Sequence, residues 1–275
     1  MQKYKTAFLV GVSNSMEFRF DFFMNLLSTV FPIIMQVFIW ISMYSGSGGD
    51  ALYGYTFPQM IMYVVVAGAV SKFTATGVEY TVNEDIHSGG IAKYLVRPVN
   101  YIGFHLCDAV GNKFSAMITM IFVTFAALAV LFFAVDFTVS PVSVALFFPS
   151  LILAAILNFF LFFCLSMLAF WLTEIGNFFH AMSVVIMVMS GGVFPVSVFG
   201  SAYEVIAKYI PLTYTVNYPI QILAGTVPAA EAVQVLGIQL VDLTEFVFLC
   251  HCSTGHTGRT ITRKTYGGRR ERKVT

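Results

Sequence analysis

Residues 79–100 read EYTVNEDIHSGGIAKYLVRPVN, the one long polar interruption in the first two-thirds of an otherwise apolar chain. The stretch holds three acids (Glu79, Glu84, Asp85), two bases (Lys93, Arg97), a Gly89-Gly90 pair and a stop at Pro98. Everything on either side of it reads as membrane.

The composition supports that reading. The chain is 58% hydrophobic and 11% charged, with a mean hydropathy of +0.81, whereas an ordinary globular domain carries about 25% charged residues. A span needs roughly 20 apolar residues. Five charge-free windows meet that length: Phe22 to Gly49, Ala51 to Ser71, Phe114 to Val135, Phe137 to Thr173 and Ile175 to Tyr203. The first run starts too late and is too long for a cleaved signal peptide. These features predict an all-α polytopic membrane protein.

Taken in order, Tyr4, Phe8, Val12 and Met16 recur at helical spacing before the first span, as in a helix lying at the membrane interface. Spans are expected at about 22–44, 57–76, 114–135, 142–172 and 178–198. From Phe199 to Ala230 the prolines Pro211, Pro219 and Pro228 forbid one uninterrupted helix. Short re-entrant helices on the outer side are expected there instead.

A sixth span at about 232–250 is ambiguous by hydropathy. Eleven clearly apolar residues favour insertion by about 5 kcal/mol, while Asp242 and Glu245 together cost about 5–7 kcal/mol if central. Charge placement decides for it. Seven of the fifteen Lys and Arg lie between Arg259 and Lys273. Only an even number of spans puts these bases on the same side as Lys3, Lys5 and Arg19 and the 79–100 segment, as the positive-inside rule requires. Both termini are then cytoplasmic. A single membrane domain is expected over residues 1–250, with a disordered basic tail over 251–275 that binds no nucleic acid.

Familiar catalytic signatures do not occur. There is no GxxxxGK[ST], HExxH, GxSxG or CxxC, so the chain is expected to hydrolyse no ATP itself and to hold no cofactor. Cys107, Cys164, Cys250 and Cys252 form no disulfide framework, and Cys250, Cys252 and His256 match no standard zinc spacing. No charge sits at the middle of any of the five strong spans; Asn25, Gln36 and Asn158 read as ties between helices. Glu174, Asn177 and His180 recur at i, i+3 and i+6 at the inner end of the fifth span, as a polar cap, a gate or a second contact with a cytoplasmic partner.

The 79–100 segment is the candidate docking element. Ser88 can cap a helix, and Gly89-Gly90 permits a sharp turn. Ile91, Tyr94 and Leu95 then share one apolar face, and Pro98 ends the helix after Arg97. A short bounded helix of this kind suits a groove on a partner protein.

Residues Ile86 to Pro98 resemble the I-x-S-G-x-I-A-x-x-L-x-R-P signature of type-2 ATP-binding-cassette (ABC) exporter permeases, closest to the bacterial six-span subgroup. Ser190-Gly-Gly-Val-Phe-Pro195 and Pro211 to Gly225 are similar to that family's fifth span and outer re-entrant segment. The resemblance implies a homo- or heteromeric dimer of permeases in the bacterial inner membrane. A separate ABC ATPase subunit, binding ATP and Mg, would dock under each half. It also implies that Ile86 to Arg97 is the coupling helix. From Asp242 the chain departs from the family pattern, as translation in a shifted reading frame would. Two other functions fit an apolar bundle without the resemblance: a lipid-modifying enzyme built on Glu174 and His180, and a passive scaffold.

Overall fold

The structure is a computed structural model that describes residues 5–6, 8–10, 19–46, 51–90, 94, 100–135, 140–172 and 175–271. The described chain is helical apart from turns and one isolated bridge between Leu52 and Tyr55. Nine helices follow one another among these residues: α1 (Arg19–Gly46), α2 (Phe57–Thr74), α3 (Val78–His87), α4 (Tyr101–Val135), α5 (Pro141–Ser166), α6 (Gly176–Met189), α7 (Ser201–Ala207), α8 (Asn217–Ala224) and α9 (Ala229–Glu271). Short 3-10 turns at Met167–Phe170 and Val196–Phe199 follow α5 and precede α7. Of the expected interfacial helix, only residues 5–6 and 8–10 are described, and they are helical.

Among the described residues, four stretches are long and apolar enough to cross a membrane: Leu26–Gly46, Phe57–His87, Pro141–Phe170 and Ala229–Cys252. The two central ones are α2 and α5. Helix α2 packs on α1, α4, α5 and α8, while α5 packs on α2, α3, α8 and α9. Helix α2 is apolar all round, as a helix enclosed by others must be: Met60, Met62, Tyr63, Val64, Val66 and Val70 are all fully buried. Helices α1 and α9 flank this centre and show the opposite pattern, with Phe31, Phe38, Val241 and Phe248 among many exposed apolar side chains. Apolar surface on that scale needs lipid or another protein against it. Helix α1 approaches closely at Gly68, where an added Cβ would lie 2.5 Å from Ile33 Cγ1; small residues permit such contacts between membrane helices.

The fifth expected span, 178–198, is cut short. Helix α6 has 14 residues and stops at Met189, a rise of about 21 Å against the roughly 30 Å of a hydrocarbon core. The stop is a Schellman turn. Gly191 takes φ +87°, the Gly192 N–H donates to Met187 O at 2.9 Å and the Gly191 N–H to Val188 O at 3.3 Å. The tail also differs from expectation. Residues 251–271, expected to be disordered, continue α9. No proline follows Pro228, and extending a helix already anchored by packing avoids the cost of nucleating one.

The end of α2 is a junction of three helices. Lys113 of α4 donates from Nζ to the carbonyls of Phe73, Thr74 (3.0 Å) and Ala75 (3.0 Å). Asn158, from the middle of α5, donates from Nδ2 to Thr74 O at 2.8 Å. A cation over unsatisfied C-terminal carbonyls complements the helix dipole. Asn158 is thus the tie between helices that its position suggests; the Gln36 Oε1, by contrast, is buried with no partner. Lys113→Met is expected to destabilise the chain by about 2 kcal/mol, read as a lower midpoint of thermal unfolding in detergent, with Lys113→Arg retaining most of the stability.

Candidate functional site

The polar segment does not begin as a loop. After α2 the chain turns at Ala75–Gly77, with Gly77 at φ +71°, and re-enters helix as α3. Val78 and Val82 of α3 are buried, with Ile86 one turn further on, against Phe159, Phe163 and Met167 at the end of α5. Helix α4 starts 13 residues before its charge-free stretch, which carries its first part about 20 Å beyond that stretch. The end of α3 and the start of α4 therefore form two legs, with residues 88–90 and Tyr94 between them.

The legs are joined by a buried polar strut. Asp85 Oδ2 accepts a hydrogen bond from Tyr101 Oη at 3.2 Å and lies 3.4 Å from His105 Nε2. His105 is 4% exposed. Burial raises the Tyr101 phenol, and the Asp85 charge raises it further, so Tyr101 keeps its proton and donates throughout the physiological range. Burial lowers His105, against the opposing pull of Asp85 and Asp108. Burial raises Asp108, which His105 and a hydrogen bond from Asn112 oppose.

The turn between the legs folds back on this strut. Ser88 ends α3, its N–H donating to Glu84 O at 2.9 Å. Gly89 takes φ +72°. Gly90 is buried, and a Cβ there would lie 2.5 Å from Asp85 Oδ1 and 3.3 Å from Asp85 Cα. Tyr94 is helical, with its ring centroid 4.8 Å from Tyr101, 5.4 Å from Phe104 and 5.7 Å from His105. Ile91, Leu95, Arg97 and Pro98 lie outside the described residues. Ile86, expected to face a partner, is half-buried among this chain's own side chains.

The second candidate set lies beside the first. Ile86 packs against Ile175 and Phe179 at the start of α6, and the Tyr80 ring meets Phe179 edge-on at 6.1 Å. Asn177 and His180 are exposed on the same helix, while Glu174 lies outside the described residues. The end of α3 and the start of α6 thus form one continuous surface.

The Ser190-Gly-Gly motif serves the interior. Tyr63 of α2 donates to Gly191 O at 2.7 Å and lies 3.0 Å from Asn217 Oδ1, while the Asn217 N–H donates to Ser190 O at 3.1 Å. On the neighbouring helix, Gln239 of α9 donates to Tyr214 O at 2.8 Å and accepts from Ser150 Oγ at 3.1 Å. Sequence reasoning missed Asp85, Tyr101 and His105 as a unit, because their partnership runs between two helices. It also missed Glu79, which lies in the first turn of α3 and is 4% exposed. The spacing of Val78, Val82 and Ile86 was the available signal that α3 packs one face inward and carries Glu79 with it.

Among the described residues no three His, Cys, Asp or Glu converge on a metal site. Cys107, Cys164, Cys250 and Cys252 are in no disulfide, and Cys250 is buried against Cys164. A family model described as ABC-2 family transporter protein matches residues 30–249. No curated protein and no solved structure matches the chain.

Proposed function

The chain belongs to the ABC-2 transporter family and is a multi-pass membrane permease subunit; from that premise we propose that it forms half of an exporter driven by a separate ATP-hydrolysing subunit. The partner binds ATP and Mg and docks on the tip between α3 and α4, with Ile91, Leu95, Arg97 and Pro98 completing the docking face. Asn177 and His180, with Glu174, give it a second contact. The full bundle has six crossings, the second half of α4 and the short α6 being the two beyond the four long apolar stretches. Both termini are cytoplasmic in a bacterial inner membrane, and α7 and α8 dip into the outer face. A second permease protomer, identical or related, covers part of the apolar flank.

The observation that carries this reading is the braced turn between α3 and α4. A push on this turn meets a strut in which Tyr101 donates to Asp85 and the buried His105 lies 3.4 Å from the same carboxylate, so the turn does not deform independently of the legs. The α4 leg then runs into Lys113, which holds the end of α2, one of the two central helices. Motion at the tip thereby reaches a helix against which α1, α4, α5 and α8 pack. The energy enters as force from another polypeptide, which suits a chain with no P-loop of its own.

The test is co-reconstitution in vesicles with the P-loop protein encoded beside this chain. Its ATPase rate is expected to rise when the permease is present, and cargo is expected to move only with ATP. An ATPase rate indifferent to the permease would overturn the proposal.

A further inference from the structure

A cavity of about 170 Å³ lies where α2, α3, α5 and α6 meet, bounded by Ser71, Thr76, Glu79, Asn158, Ser183 and Thr215 among others. Its chemistry is one-sided. Ser183 Oγ donates to Phe179 O at 2.8 Å and Thr215 Oγ1 to Leu212 O at 2.6 Å. Ser190 Oγ and Thr74 Oγ1, also in the wall, donate to Met187 O and Val70 O in the same way. The protons of these hydroxyls point into their own helices and turns, so what they offer the cavity is lone pairs. The Asn158 amide donates to Thr74 O, which leaves its oxygen as a further acceptor.

Three more oxygens in the same cavity are buried without any hydrogen-bond partner: Ser71 Oγ, Thr76 Oγ1 and Glu79 Oε2. The Glu79 carboxyl interacts with its own backbone N–H and with the Thr76 hydroxyl beside it, and these contacts leave Oε2 without a partner. No basic side chain lines the cavity, and the nearby Lys113 is directed at the carbonyls that end α2. Burying a carboxylate without a counter-ion costs several kcal/mol, whereas the first turn of a helix favours its charged form. The rest of the wall is apolar, from Phe162, Ile186, Met187 and Val216, and a carboxylate whose polar neighbours there offer lone pairs calls for an occupant that is positive, compact and free of acceptors.

We infer that this cavity binds a compact monovalent cation, with Glu79 as the counter-charge and the Ser71 and Thr76 oxygens completing its shell. The positive charge can be an alkali-metal ion or the primary ammonium group of a cargo molecule; the coordination chemistry is the same, oxygen lone pairs around a single positive centre. Binding here needs no nucleotide and no partner. Its failure therefore leaves the ATPase-driven reading standing.

The test is thermal unfolding of the purified full-length chain in lipid nanodiscs, titrated with NaCl, KCl or methylammonium chloride. Choline chloride holds the ionic strength constant. At least one of the three cations is expected to raise the unfolding midpoint saturably, by about 5 °C at a hundredfold excess over its dissociation constant. A response to Na⁺ or K⁺ identifies an ion site, and a response to methylammonium alone identifies the amine end of a cargo. Glu79→Gln is expected to abolish the response, and the pair Ser71→Ala with Thr76→Val, which keeps the carboxylate, to weaken half-saturation at least tenfold. A midpoint that follows choline as closely as the test cations, or a response unchanged in both variants, overturns the inference.

Discussion

Valine at both Gly89 and Gly90 is expected to reduce stimulation of the partner ATPase at least tenfold while leaving insertion and yield of the permease near normal. The two substitutions act for different reasons. Gly89 sits at φ +72°, where a residue with a Cβ costs about 1–2 kcal/mol and a β-branched one more. Gly90 is closed by Asp85: a Cβ would fall 2.5 Å from its Oδ1 and 3.3 Å from its Cα, and the second of these is backbone that cannot swing aside. Accommodating valine therefore displaces either the turn or the Asp85 carboxylate. Displacing Asp85 removes the acceptor of Tyr101 and the partner of His105, which unlinks the two legs. Gly89→Asn supplies the control, because asparagine tolerates the left-handed region; this variant is expected to keep most of the stimulation. The measurement is ATPase rate in co-reconstituted vesicles against permease content. Full stimulation with both valines in place would remove the tip from the coupling route.

Gly191→Val carries the second large effect, this time on stability. The residue has φ +87°, and an added Cβ would lie 2.7 Å from Tyr63 Oη and 3.0 Å from Asn217 Cβ. Tyr63 is fully buried in the central helix, and its hydroxyl holds the Gly191 carbonyl. Valine strains the backbone and expels the hydroxyl that pairs with it, for a combined loss of about 3 kcal/mol or more. A drop in the thermal midpoint in detergent, with reduced membrane yield, is the expected readout. Tyr63→Phe alone should cost about 1–2 kcal/mol, since it leaves the carbonyl without that donor. Added to Gly191→Ala, Tyr63→Phe should cost less than the sum of the two single changes, because removing the hydroxyl makes room for the new methyl. Strict additivity would mean that the two residues do not meet as described.

Much of the membrane architecture was legible in the residues. Charge-free windows overlap α1, α2, the second half of α4 and α5, because hydropathy is a sum over many residues and tolerates local exceptions. The Ser190-Gly-Gly motif was visible, but its consequence for the fifth span was not. A window average counts Gly191 and Gly192 as neutral, whereas the backbone treats the first as a left-handed stop. Helix α3 was hidden by its polarity: Glu79, Glu84 and Asp85 dilute the average, and only Val78, Val82 and Ile86 reveal the buried face. The candidate site was legible as a turn and not as a machine. Gly89 and Gly90 announced a bend, yet the strut beneath them depends on Tyr101 and His105 across a break in the helices. No local rule pairs residues 16 and 20 positions apart. The tail misled in the opposite direction, since composition alone does not register that a helix already under way can continue through polar and glycine-containing sequence.

Cys250 shares a packed cluster with Val78 and Val82 of α3 and Ala109 of α4. The final helix therefore leaves the bundle at the same pole as the 79–100 turn, and it continues for a further 21 residues to Glu271, about 30 Å. A rod of that reach beside the turn crowds the approach to it. Any soluble subunit that seats on the turn must share its footprint with the rod, so shortening the chain after Cys252 alters the room available beneath the bundle as well as its length.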